Sequence, residues 1–254
     1  MKLTQEQYDR IADAFPTQRG NVSLDHLTVM NAILYALENG CKWRALPAEF
    51  GNWHTIYTRM SRWAKAGVLN RIFVRLQEEA MLYVRIDAMS LDSTSVRVHP
   101  DACGALKKNG PQAIGRSRGG RTTKIHLVAA TARQAVIFCL STGNEGDAPR
   151  GRELLMRMGR IPEPCHLLMD RAYEEDETRE PAQALGFIPV VPPNPNRKNP
   201  WDYDTIIYQR RNEVERLIQR VKSYRREFTW YDKLDIMFLG FIVFAFIVEF
   251  LRLC

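Results

Sequence analysis

The chain has 254 residues, 45% of them hydrophobic, enough to bury a proper core in one large domain or two modest ones. A formal charge of +7 and a pI of about 9.3 suit a polyanionic partner. The five cysteines are scattered and never form a C-x-x-C pair, which argues against a zinc site or disulfide frame and for reduced thiols in the cytoplasm.

The opening stretch MKLTQEQYDR lacks the apolar core of a secretion signal. Residues 1–82 read as helices, with Thr4 or Ser23 as N-caps. The second helix takes its register from Leu24, Leu27, Asn31, Leu34 and Glu38 and stops at Gly40. After the link CKWRALPAEFGN, a third helix runs from about Trp53 to Ala66. It turns Trp53, Ile56, Met60 and Trp63 inward and Arg59, Arg62 and Lys65 outward. Helix, short turn, then a helix with outward basic residues is compatible with a helix-turn-helix that reads DNA. It is also compatible with a plain helical subdomain whose basic face is solvated.

From Met81 the hydrophobic period changes. MLYVRIDAMSLDSTSVRVHP is rich in β-formers and reads as one or two strands, and 122–132 with 134–143 reads as a hairpin around Ala132 and Arg133. Asp147 is expected to cap a helix through Met158, with Pro149 in its first turn. A short buried strand (165–170), a helix (174–185) and another strand (187–191) follow. Three strands, helix, strand, helix, strand, helix is the order of a ribonuclease H-like fold, an α/β layer with a mixed sheet. The expected domains are thus 1–82, helical, and 83–254, α/β.

Between Ala102 and Asn144 there is no Asp or Glu, while Lys107, Lys108, Arg116, Arg118, Arg121, Lys124 and Arg133 are all basic. That segment is the expected phosphate-contacting surface. In the Pro- and Asn-rich PPNPNRKNPWDYD, Trp201 and Tyr203 either anchor the loop or stack on an unpaired base.

The run from Ile206 to Arg226 has no Gly or Pro and reads as one helix of several turns. At about 100° per residue, Tyr208, Arg211, Glu215 and Lys222 fall within roughly 60° of one another, beside an apolar stripe of Ile207, Val214, Leu217, Ile218 and Val221. By geometry alone this is an amphipathic helix with a polar border and an Arg211–Glu215 ion pair. The apolar run Ile236 to Val248 is thirteen residues long, short of the roughly twenty a bilayer requires. It reads as a buried helix, in the core or at a subunit contact.

Tyr, two residues, Arg, three residues, Glu, six residues, Lys (Tyr208, Arg211, Glu215, Lys222) resembles the signature of DDE transposases of bacterial insertion sequences. Asp-Ser-Thr at Asp92 with His99 beyond the strand, and Asp-Arg-Ala-Tyr at Asp170, are similar to the family's two aspartate motifs. GCKWRALPAEFG, IGRSRGGRTTKIHL and GNEGD also match, so the resemblance covers nearly the whole chain. It is nearest the insertion-sequence-five family within the four/five superfamily. Trp230 departs from the pattern where Arg is expected, a change that would alter a DNA contact.

The resemblance implies an Mg²⁺-dependent polynucleotidyl transferase whose Asp92, Asp170 and Glu215 hold two Mg²⁺ ions, with Mn²⁺ as a substitute. Strands at the ends of the element would be hydrolysed and the freed 3′-hydroxyls transferred into target DNA. Arg211 and Lys222 would bind phosphates, and Tyr208 would orient a phosphate or pack. The implied partners are double-stranded DNA and further copies of the chain, in a homodimer or higher oligomer, with no membrane; the implied place is the bacterial cytoplasm, in association with the nucleoid during transposition. The alternatives are a ribonuclease H-like nuclease that cuts without joining, or a silent transposase-derived DNA-binding protein.

Asp87 competes with Asp92 for the first carboxylate position. The two lie five residues apart, so on one regular strand they face opposite ways. A β-bulge between them would cancel that difference.

Overall fold

The computed structural model describes residues 2–18, 20, 22–83, 86–104 and 110–252. Lys107, Lys108 and Cys254 lie outside the described residues. In chain order the elements are α1 (Gln5–Asp9), α2 (His26–Asn39), α3 (Trp53–Lys65), α4 (Val68–Tyr83), β1 (Ala88–Val98), β2 (Gly115–Ser117), β3 (Gly120–Thr131) and β4 (Gln134–Thr142). There follow α5 (Asp147–Met158), β5 (Cys165–Met169), α6 (Asp176–Ala184), β6 (Phe187–Val190), α7 (Thr205–Tyr208), α8 (Asn212–Ser223), α9 (Arg225–Phe228), β7 (Thr229–Trp230) and α10 (Asp235–Leu251). They form two compact units, neither continuous in sequence. One comprises Met1–Glu79, Val98–Gln112 and Val221–Cys254; the other comprises Ala80–Arg97 and Ala113–Arg220.

The first unit is helical and built on α10, whose Phe238, Phe241, Phe244 and Phe246 are at most 2% exposed. Gly240 lets α10 lie close on α3, since a Cβ there would stand 3.0 Å from Met60 Cε and 3.1 Å from the Ala64 Cβ. By sequence order this helix belongs to the α/β domain expected over 83–254; in the structure it forms the core of the N-terminal helices instead. Among the described residues, no helix is long and apolar enough to cross a membrane.

Thr4 closes a capping box on α1, as expected. The cap of α2 is Asp25 rather than Ser23, its Oδ1 accepting from Thr28 N at 2.6 Å. Helix α4 extends through Tyr83, so the strand expected near Met81 begins only at Ala88. Trp230 is fully buried and stacked on Phe238, ring centres 4.6 Å apart.

The second unit is a mixed sheet. β4 pairs β3 and β3 pairs β1, both antiparallel, while β5 runs parallel to β1 and β6 parallel to β5. β2 folds back on the start of β3. This strand order, with β3 antiparallel to β1 and β5 parallel to it, is that of a ribonuclease H-like sheet. Met89, Leu91, Val128, Leu167 and Met169 form one face, packed on Leu154 and Leu155 of α5 and Ala182 of α6. Ala88, Leu168 and Val190 form the other, packed on Tyr203, Ile207 and Tyr208. Trp201 anchors its loop, donating Nε1–H to the Val191 carbonyl at 2.9 Å beneath the Arg179 guanidinium.

Candidate active site

Strand parity brings two aspartates together. β1 pairs β3 without a register shift from Ser90 to Arg97, so side chains alternate regularly along it. Ala88, Ser90 and Asp92 therefore share the face that α7 covers. In the parallel pairing Ser90 stands opposite Leu168 and Leu91 opposite Met169. Asp92 and Asp170 are the next residues on each strand, and Asp170 keeps an extended backbone. Both carboxylates thus start from one face, on strands about 4.8 Å apart, at the C-terminal edge where open α/β sheets bind ligands.

Asp92 is only 8% exposed. Its Oδ1 accepts from Ser93 N at 2.7 Å and its Oδ2 from Arg211 Nη2 at 3.3 Å. Burial pushes its pKa up; Asp170 and Glu215 repel its charge in the same direction, while Arg211 and the Ser93 N–H oppose them. Asp170 also caps the turn Arg171–Tyr173, its Oδ1 accepting from Ala172 N at 2.9 Å. The ring of Tyr173, last residue of that motif, is buried against α5 at Gly151.

The helical run holding Glu215 is not one helix. Asp204 caps α7, a 3₁₀ turn Gln209–Arg211 interrupts, and α8 starts at Asn212. A second break at Tyr224 separates α9. The expected apolar stripe holds, with Val214, Leu217 and Val221 buried. Arg211 donates to Glu215 Oε1 at 2.5 Å as well as to Asp92, so one guanidinium ties β1 to α8. Burial alone would lower the Arg211 pKa, but Asp92 above all, with Tyr208 and Glu215, leaves it raised. Tyr208 packs edge-on against Tyr203 and senses the charges of Arg211, Asp170 and Asp92. Lys222 lies in the first unit, and burial pushes its pKa down.

Asp87 precedes β1 and is held elsewhere. Arg210 grips both its oxygens, at 2.8 and 3.0 Å, on an exposed surface.

The carboxylates suit a hard divalent cation by donor type, and the repulsion felt at Asp92 is what such an ion would relieve. Among the described residues, however, no group of three His, Cys, Asp or Glu stands close enough to hold a metal ion. Where three converging ligands were expected, Arg211 joins Asp92 to Glu215. A guanidinium between them neutralises the buried carboxylate without drawing the acids together.

Of the expected basic surface, Arg116, Arg118 and Arg121 are exposed around the β2–β3 turn. Lys124 is not part of it: Nζ donates to Asp147 Oδ1 at 2.9 Å and to the Glu145 carbonyl at 2.8 Å. In the first unit Arg62 is exposed on α3, and Arg59 is half-buried, near the Asp25 carbonyl. Sequence reasoning missed Ser93, whose Oγ donates to Asp147 Oδ1 at 2.8 Å, and gave Asp147 a capping role that Gly146 occupies.

Residues 85–244 match the family model described as "Transposase DDE domain", and residues 3–73 match a model for transposases of the IS4/5 family. The chain is 28% identical, over 52% of its length and 99% of the relative's, to a Brucella ovis protein named as transposase for insertion sequence element IS6501. It is 32% identical to protein y4sN of Sinorhizobium fredii, over 42% of this chain and 86% of that one. Among solved structures, a Mos1 transposase paired-end complex aligns at 10% identity and a TM-score of 0.27, over 72% of this chain and 64% of that one.

Proposed function

The chain belongs to the DDE-domain transposases of insertion sequences, and from that premise we propose that it cuts DNA at the ends of its own element and joins the freed 3′-hydroxyls to target DNA. The observation that carries this reading is the pair Asp92 and Asp170, one residue beyond the register partners Leu91 and Met169, with Glu215 tied to Asp92 through Arg211.

DDE transposases use divalent metal ions, and we assign Asp92, Asp170 and Glu215 as the ligands here, for two Mg²⁺ or, in substitution, Mn²⁺. Ions held there would supply an activated water and a counter-charge for the phosphorus centre. Arg211 holds that charge balance in the protein alone; a metal would free its planar fork for a phosphate. Lys222 adds a point charge, and Tyr208 braces the turn that carries Arg211. Arg116, Arg118 and Arg121, with Arg59 and Arg62 of the helical unit, are assigned to the DNA backbone. A dimer or higher oligomer would pair the two ends, in the bacterial cytoplasm, where thiols such as Cys41 and Cys165 stay reduced.

The test is a cleavage and strand-transfer assay on duplexes carrying the inverted repeats that flank the gene, with Mg²⁺. Joined products support the reading. Cleavage without joining marks a nuclease, and binding without cleavage marks a silent DNA-binding protein.

A further inference from the structure

The helical unit holds a cavity of about 420 Å³, walled by the turn after α2, by α3 and by the segments around His99 and Tyr231. Its walls are aromatic. Trp43 stands edge-on to Tyr57, ring centres 5.5 Å apart, and Tyr231 packs against the His99 ring at 4.8 Å. Trp43, Tyr231 and His99 are only partly buried and Tyr57 is exposed, so ring surface is within reach of a ligand. The wall is also fixed. Arg226, nearly buried, donates to the Cys41 carbonyl at 2.7 Å and to Asp232 Oδ1 at 2.9 Å. Its guanidinium lies over the rings of Trp43 and Phe241, which stack on each other. Trp43 is thus held in place before any ligand arrives, which lowers the ordering cost of binding.

Charge sets the sign of the ligand. Arg226 and Asp232 cancel, which leaves exposed Lys42 and Lys233 against Asp101 around the cavity, a balance that suits an anion. Lys233 is steadied by the Cys103 carbonyl, to which Nζ donates at 3.1 Å. Aromatic walls with ammonium groups beside them serve an unstacked nucleotide: rings for the base, which stacks whatever its identity, and cations for the phosphate. The volume lies near the lower end of the roughly 300–1,000 Å³ of small-molecule sites, the scale of one nucleotide. We propose that this cavity takes a single unpaired nucleotide, its base against Trp43, Tyr57 and Tyr231 and its phosphate at Lys42 and Lys233. Two sources share that chemistry, a base turned out of a bound duplex and a free mononucleotide. The inference rests on the reading of this chain as an enzyme that acts on DNA.

The test uses the full chain with Tyr57→Ala, Tyr57→Phe and Lys42→Ala. Three probes are compared: the fully paired flanking-repeat duplex, the same duplex with one unpaired 5-iododeoxyuridine, and 5-iododeoxyuridine monophosphate. Affinity is read by fluorescence anisotropy, and the residue crosslinked on irradiation by mass spectrometry. Wild type should prefer the duplex with the unpaired base by about 5–150-fold, and crosslink it to Trp43, Tyr57 or Tyr231. Tyr57→Ala should lose most of that preference and Tyr57→Phe should keep it, both binding the paired duplex as wild type does, which also shows that they fold. Lys42→Ala should lower the salt slope for the unpaired duplex by about 1. Crosslinking of the monophosphate to the same rings, with no preference between duplexes, would make the free nucleotide the occupant. No crosslink of either probe to these rings, or a preference that survives in Tyr57→Ala, would overturn the proposal, while strand transfer by wild type would leave the functional reading standing. Crosslinking at these rings by a chain that never cleaves the repeat duplex would overturn the functional reading and leave the cavity assigned.

Discussion

Arg211 and Asp92 form a largely buried ion pair, 3.3 Å long, whose side chains are 16% and 12% exposed. The same guanidinium reaches Glu215, so a cation from the chain itself stands between two acids assigned to a metal. Removing one partner of such a pair leaves an uncompensated buried charge. Arg211→Gln should therefore lower the melting temperature of metal-free protein, and added Mn²⁺ should raise it more than in wild type. Arg211→Lys should rescue poorly, because an ammonium lacks the fork that spans two carboxylates. Equal melting temperatures without metal would mean that the pair contributes nothing.

His126 is fully buried, with Nε2 on Ser141 Oγ at 2.8 Å. Burial pushes its pKa down from 6.5 to about 4; Asp147 opposes, while Lys124 and Arg150 add to the shift. The folded protein thus resists a proton that the unfolded chain takes up readily. Stability should fall as pH drops from 6.5 toward 4, by up to about 3 kcal/mol from this group. His126→Gln keeps a partner for Ser141 and should flatten the urea-midpoint profile over that window. An unchanged slope would show that His126 is protonated at no cost.

Gly151 in α5 tests the packing of the Asp170 motif. Alanine is the better helix former by about 1 kcal/mol, yet its Cβ would come 2.6 Å from the Tyr173 ring and 3.0 Å from Leu91 Cδ2. Overpacking of this kind costs about 1–3 kcal/mol, so Gly151→Ala should destabilise on balance. A gain in the denaturation midpoint would show that Tyr173 has room to move.

The strands and the two aspartates were legible in the sequence because alternation of side chains is a local signal that pairing preserves. Interactions set by which strands become neighbours were not. Alternation puts Lys124 and Arg121 on opposite faces of β3 but names no partner for either, yet one meets Asp147 across the fold and the other is exposed. The 3₁₀ turn at Gln209–Arg211 carries no Gly or Pro to announce it. The place of α10 in the helical unit depends on the close approach at Gly240, which an apolar run alone does not specify. Arg210 was equally invisible as the holder of Asp87.

Arg116, Arg118 and Arg121 should act through charge alone. Replacing all three by Ala should weaken binding to every duplex alike and reduce the slope of log affinity against log salt by up to about 3. Fluorescence anisotropy at several salt concentrations would measure it. An unchanged slope would make the turn a solvated surface.

The most direct measurement is Mg²⁺-dependent cleavage by Asp92→Asn beside Asp87→Asn. Both changes remove one negative charge from the same stretch of chain, but Asp92 lies on the face shared with Asp170 and Asp87 is held at the surface by Arg210. A surface pair contributes about 1 kcal/mol or less, so Asp87→Asn should keep cleavage within a few-fold. Asp92→Asn should lose several orders of magnitude while binding DNA as before. Cleavage near the wild-type rate by Asp92→Asn, or its loss in Asp87→Asn alone, would contradict the assignment of the site.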